Sequence, residues 1–313
     1  DFVAEDLAAP PETIEALEPQ NCYVCKKDYT TFHPFYDQLC PACGDFNLAK
    51  RTERADLAGR VALLTGGRVK IGYQSGLKLL RSGARLIVTT RFPHDAASRY
   101  AQEPDFEDWS DRLEIFGLDL RHTPSVEAFC HHLLTTRDRL DYIVNNACQT
   151  VRRPPDFYRH MMELELQAFE SLDSRHRQLL ESYEELRAGR SDGGALVRAA
   201  EAPSGRELAA GATGVGLTYA AELSQVALLP EELDPNPSLF PAGELDQDLQ
   251  QVDLRGRNSW RLALAEVSTV ELLEVQLVNA VAPFVLNARL KPLFLRTPER
   301  DKHVVNVSAV EGQ

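Results

Sequence analysis

Residues 63–72, LLTGGRVKIG, constrain this chain more than any other stretch, because an apolar run ends in a glycine pair and gives way to a helical pattern at Gly76-Leu77-Lys78-Leu79-Leu80. A buried strand entering a glycine turn and then a helix brings backbone amides and the positive end of a helix to one point, which suits a pyrophosphate. Ordinary strand-to-helix connections use the same residues, so the turn alone leaves both readings open. The runs that follow narrow them. Short β-rich segments recur at 85–91, 113–118, 140–144 and 303–307, with helical patterns at 73–82, 124–137 and 269–290 between them. Alternation of this kind predicts an α/β fold, a doubly wound parallel sheet covered on both faces.

In that frame the residues resemble the short-chain dehydrogenase/reductase family over roughly 56–312. The likeness rests on Asp56-Leu57-Ala58-Gly59-Arg60 before the first strand, the turn from Thr65 to Gly72, Asp119-Leu120, Asn145-Asn146-Ala147, Val278-Asn279 with Phe284 and Pro292, and Val305-Asn306-Val307-Ser308. The resemblance implies a Rossmann-type domain holding NAD or NADP, with Thr65, Gly66, Ile71 and Gly72 at the phosphates, Asp119 and Leu120 at the adenine, and Asn146 and Ala147 near the ribose. It also implies a small carbonyl or alcohol as substrate, and a homo-oligomer is expected. An acidic residue closing the second strand would favour NAD by bonding the ribose; this chain has Thr90-Arg91 there. Arg91, helped by Arg68 and Lys70, is therefore a candidate for a 2'-phosphate and points to NADP, the other reading being solvated surface cations.

The departures from the family pattern bear on chemistry. Lys70 stands at the family's middle glycine of the turn, and Cys148 replaces the glycine after Asn-Asn-Ala, where a small buried thiol is expected to pack. The family's reaction uses a serine and a tyrosine on the substrate carbonyl, a lysine that lowers the tyrosine pKa, and an asparagine that holds a water. Asn279 fits the asparagine position; Ala309 falls at the usual serine position, with Ser308 one residue early. The tyrosine and lysine would come after Gln313, so the chain is expected to be part of a longer protein. Two functions stay open: an NADP-dependent oxidoreductase, and a catalytically silent nucleotide-binding module that serves as a protein-interaction or sensor domain.

Ahead of this region, Cys22, Cys25, Cys40 and Cys43 form a C-x2-C-x14-C-x2-C pattern. Four thiolates in two knuckles suit a closed tetrahedral zinc site, structural rather than catalytic, in a ribbon expected at 21–48. A pair of disulfides is the competing reading. Residues 1–20 are acidic and expected to be a disordered tail, and the Rossmann-type domain is expected at 56–313, interrupted by an insertion at 150–266. Within the insertion, apolar positions from Phe157 to Leu186 predict one long amphipathic helix, 187–216 a Gly/Ala-rich linker, and 229–253 an acidic proline-bearing stretch. The insertion leaves the sheet where ligands bind in such folds, so it reads as a lid or as a docking arm for another protein. A formal charge of -13 disfavours nucleic acid, no apolar run is expected to span a membrane, and a cytoplasmic protein is expected.

Overall fold

The computed structural model describes residues 14–188, 219–233, 236–246 and 250–309. The chain divides into two units, Asp1–Ala55 and Asp56–Gln313.

In the first unit, β1 (Glu15–Asn21) pairs antiparallel with β2 (Asp28–Thr31), and α1 (Pro41–Thr52) starts within the second cysteine knuckle, with Cys40 at its N-cap and Cys43 in its first turn. The tail expected at 1–20 is thus corrected at its end: residues 15–20 are strand, although their side chains are mostly exposed, because main-chain pairing with β2 orders them. Among the described residues, Cys22, Tyr29 and Leu39 form its buried apolar centre.

The second unit has the expected fold. A parallel sheet is built from β3 (Val61–Thr65), β4 (Arg85–Thr90), β5 (Leu113–Gly117), β6 (Tyr142–Asn145) and β7 (His303–Asn306) in the order β5-β4-β3-β6-β7. The crossovers are α2 (Lys70–Arg81), α3 (Pro93–Ala101) and α4 (Thr123–Thr136). Strand order reverses between β3 and β6, which opens a crevice at their carboxyl ends. Ala62, Leu63 and Leu64 of β3 are wholly buried, which is why the strand reads as a continuous apolar run rather than an alternating one.

The single long helix expected after Phe157 is two helices. α5 (Pro155–Glu165) begins with a proline at its first turn, and α6 (Ser174–Arg187) restarts where the Asp173 carboxylate accepts the Arg175 amide at 2.9 Å. A new N-cap breaks the helix even though the apolar spacing runs on. α6 lies along β5 so closely that a Cβ on Gly117 would come 2.3 Å from the Tyr183 hydroxyl. The insertion thereby covers the outer strand of the sheet, a position that needs cover. Most of the expected linker, from residue 189 on, lies outside the described residues. Beyond it come α7 (Ala220–Leu223), α8 (Thr269–Gln276), a π-helical turn (Leu277–Val281) and α9 (Ala282–Phe294).

The helical run Thr269–Phe294 is long and apolar enough to cross a membrane by length and composition, contrary to the expectation that no run is. Its buried residues include Leu286, Leu290 and Leu293, and α9 packs on α4 as a crossover helix of the sheet does.

Glu165, at the end of α5, reaches the start of α3, where its carboxylate accepts the Asp95 amide at 2.8 Å and the His94 amide at 3.2 Å. Burial raises its carboxyl to about 8 against the pull of those two amides. A folded value above the unfolded one means a contribution to stability that is complete below the unfolded pKa and lost as pH rises through about 8. Proteolysis around α5 is therefore expected to be roughly tenfold faster at pH 9 than at pH 6. Glu165→Gln is expected to abolish the difference, and a pH-independent wild type would refute the assignment.

Candidate functional site

A cleft of about 510 Å³ opens at the carboxyl ends of β3, β4, β5 and β6. Gly66, with φ +70°, makes the turn after β3, and its amide donates to Thr89 O at 2.8 Å. Thr65 Oγ1 accepts the amides of Asn146 and Ala147, at 3.1 and 3.0 Å, while Asn146 Nδ2 donates to the carbonyls of Thr65 and Gly66, each at 3.1 Å. Thr65 and Asn146 thus fasten the turn to the end of β6. Gly72 sits against that turn: an added Cβ would lie 2.1 Å from Gly66 O and 2.5 Å from Asn146 Nδ2. The backbone comes this close only because position 72 has no side chain.

Lys70 opens α2 with φ +53°, a left-handed conformation that accounts for the glycine the resemblance expects there. Its side chain is exposed at the cleft, and Ile71, 65% exposed, lines it too. Gly66, Ile71 and Gly72 therefore frame a helix N-terminus that offers amides to an anion.

Arg68 also lines the cleft, but it is buried and its Nη1 lies 2.6 Å from Asp95 Oδ2. Asp95 thus already balances the charge of the helper expected at Arg68. Arg91 differs. Its Nη2 donates to Tyr158 Oη at 2.6 Å, and no carboxylate among the described residues pairs with it.

Asp119 and Leu120 line the third side of the cleft. Burial opposes ionisation of Asp119, but Arg121, with its Nη2 2.6 Å from Oδ2, holds the carboxyl below its ordinary range. The ion pairing continues inward. Arg121 Nη1 lies 2.8 Å from Glu274 Oε1, Arg152 Nε 3.1 Å from Glu274 Oε2, and Arg152 also pairs with Glu232. A row of alternating charges thus runs from the cleft into the insertion, and Gln149 Nε2 joins it at Glu274, 2.9 Å away.

Asn279 lies in the π-helical turn, where its side chain accepts the Gln149 amide at 2.8 Å and donates to the Gln149 carbonyl at 2.9 Å. Ser308 follows β7, is exposed, bonds to Ala309 O at 3.3 Å and is not among the cleft-lining residues. Cys148 is exposed at the cleft, which corrects the expected buried thiol: β6 ends at Asn145, so position 148 belongs to the loop at the rim. Sequence reasoning missed Tyr158, Trp260, Gln149, Arg121 and Glu274; of these only Arg121, two residues after Asp119, carried a local hint.

In the first unit the thiols of Cys22, Cys25, Cys40 and Cys43 lie within 4.8 Å of one another. Cys25 Sγ and Cys40 Sγ are 3.8 Å apart, about the separation of two sulfurs bound at 2.3 Å around a tetrahedral ion. Burial works against a Cys22 thiolate, yet the amides of Cys25, Cys40 and Val24 bring its pKa down to about 6. The quartet is fit to hold one metal ion.

Residues 60–171 match the family model described as short chain dehydrogenase. An uncharacterised protein of Acanthamoeba polyphaga mimivirus is 27% identical over 93% of this chain and 52% of its own length. Mouse retinol dehydrogenase 14 is 37% identical over 28% of this chain and 29% of its own. The chain thus spans about half, or less, of these two relatives. Among solved structures, a short-chain dehydrogenase/reductase from Burkholderia multivorans with bound NADP aligns over 81% of this chain and 60% of its own, at 14% identity and a TM-score of 0.39. The Pseudomonas aeruginosa RhlG/NADP complex covers 44% of this chain and 50% of its own, at 24% identity and a TM-score of 0.28.

Proposed function

Since residues 60–171 belong to the short-chain dehydrogenase/reductase family, we propose that the α/β unit holds NADP and serves hydride transfer between its nicotinamide and a small carbonyl or alcohol. The observation that carries this reading is the pairing of a turn that admits no Cβ at Gly72 with an arginine, Arg91, that has no carboxylate partner among the described residues. The first suits a pyrophosphate at the α2 N-terminus and the second a 2'-phosphate at the end of β4.

Bound NADP would supply or accept the hydride. The residues of this chain do the holding: Thr65 and Asn146 fix the turn, Gly66 and Gly72 let backbone approach the phosphates, and Asp119 and Leu120 flank the adenosine side. A second reading, binding without turnover, is favoured by the position of Ser308 away from the cleft and by the Asn279 side chain being engaged with Gln149. Calorimetric titration with NADPH, followed by a carbonyl panel read as NADPH oxidation, tests both. Binding with oxidation supports the reductase, binding alone supports the silent module, and no binding refutes both. For the thiol quartet the same mode of reading gives one structural zinc.

A further inference from the structure

Arg91 is the cleft arginine with the least conventional surroundings. Arg68 is balanced by Asp95, Arg121 by Asp119 and Glu274, and Arg153 by Asp253. The Arg91 guanidinium instead lies 4.5 Å from the centre of the Tyr158 ring and 5.6 Å from that of Phe92. Aromatic faces attract a cation without neutralising it. Tyr158 Oη accepts the Arg91 Nη2 proton, so its own hydrogen is left to donate, and Thr90 Oγ1 is placed alike after accepting the Phe92 amide at 3.2 Å. Arg91, Tyr158 and Thr90 all line the cleft. Three donors without a carboxylate among them call for an anion with several oxygens, as a phosphate monoester is.

Tyr158 comes from α5, part of the insertion. We infer that it is a positioning residue for the 2'-phosphate of the dinucleotide, so that the insertion helps select NADP over NAD. The inference rests on the reading of the cleft as a dinucleotide site. The Tyr158 ring lies beside the guanidinium and its hydroxyl takes the Arg91 Nη2 hydrogen, leaving the other N–H groups for phosphate oxygens.

The test titrates the full chain with NADPH, NADH, adenosine 2',5'-bisphosphate and adenosine 5'-monophosphate. Tyr158→Phe, which keeps the ring, is expected to weaken NADPH and the bisphosphate about fivefold to tenfold, with NADH and the monophosphate changed less than about twofold. Arg91→Lys, which loses the fork, is expected to weaken the phosphorylated pair at least as much. Equal weakening of all four ligands by Tyr158→Phe, or no change in any, overturns the positioning role while leaving the dinucleotide reading intact. A wild-type preference for NADH overturns the inference as well. A wild type that binds none of the four overturns the reading on which it rests.

Discussion

Stripping the metal from the four-cysteine cluster is expected to unfold the unit that contains it. The three buried apolar side chains, two-stranded sheet and one helix among its described residues are too little to hold such a segment together. A structural zinc in a site of this kind contributes about 10–16 kcal/mol of binding that is also folding free energy. Metal analysis of the protein purified without chelator is expected to find one zinc per chain. After chelation, trypsin is expected to cut at Lys26, Lys27 and Lys50, and re-addition of zinc to restore resistance. Cys43→Ser is expected to have the effect of the chelator, because a trithiolate site leaves the α1 knuckle unanchored. Unchanged resistance in metal-free protein would show that the thiols do not staple the fold.

The strand-turn-helix core was readable because parallel strands buried on both faces must be apolar throughout, and because Gly72 is demanded by close backbone approach and Gly66 by its positive φ as well. Features that depend on partners distant in sequence were not. Arg68 reads as a cation for phosphate, and nothing near it in sequence tells that Asp95, in the next crossover, pairs with it. β1 gives no pattern, since nearly all of its EALEPQN side chains are exposed and it is held by pairing with β2 rather than by burial. The break between α5 and α6 was hidden by apolar spacing that continues across it, although Asp173-Ser174 is an N-cap signature. Tyr158 has no sequence signal, because it sits beside the apolar stripe that starts at Phe157 and matches no motif. Its place at the cleft follows from how the insertion folds back on β4, and no local pattern encodes that.

The insertion's hold on the cleft predicts a large effect at Glu274. This carboxylate is nearly buried between Arg121 and Arg152, and each of those arginines has a further acid beyond it, Asp119 on the cleft side and Glu232 on the insertion side. Removing the central acid leaves a buried guanidinium, Arg152, and a partly buried one, Arg121, with one negative neighbour fewer apiece, a change that costs about 3–5 kcal/mol when a buried pair is broken. Glu274→Ala is expected to lower stability in urea by that amount, and hydrogen exchange is expected to rise first near Glu232 and Arg152, where the insertion is tied down. Arg152→Met removes the second charge along with its partner's need for it. The double variant should therefore recover part of the loss, with a coupling of about 0.5–3 kcal/mol. Dinucleotide affinity is expected to fall with Glu274→Ala as well, because Arg121 then turns wholly on Asp119 at the adenosine side. Strict additivity in the cycle, with a loss under about 1 kcal/mol for the single variant, would mean that water already screens these charges and that the row does not join the insertion to the site.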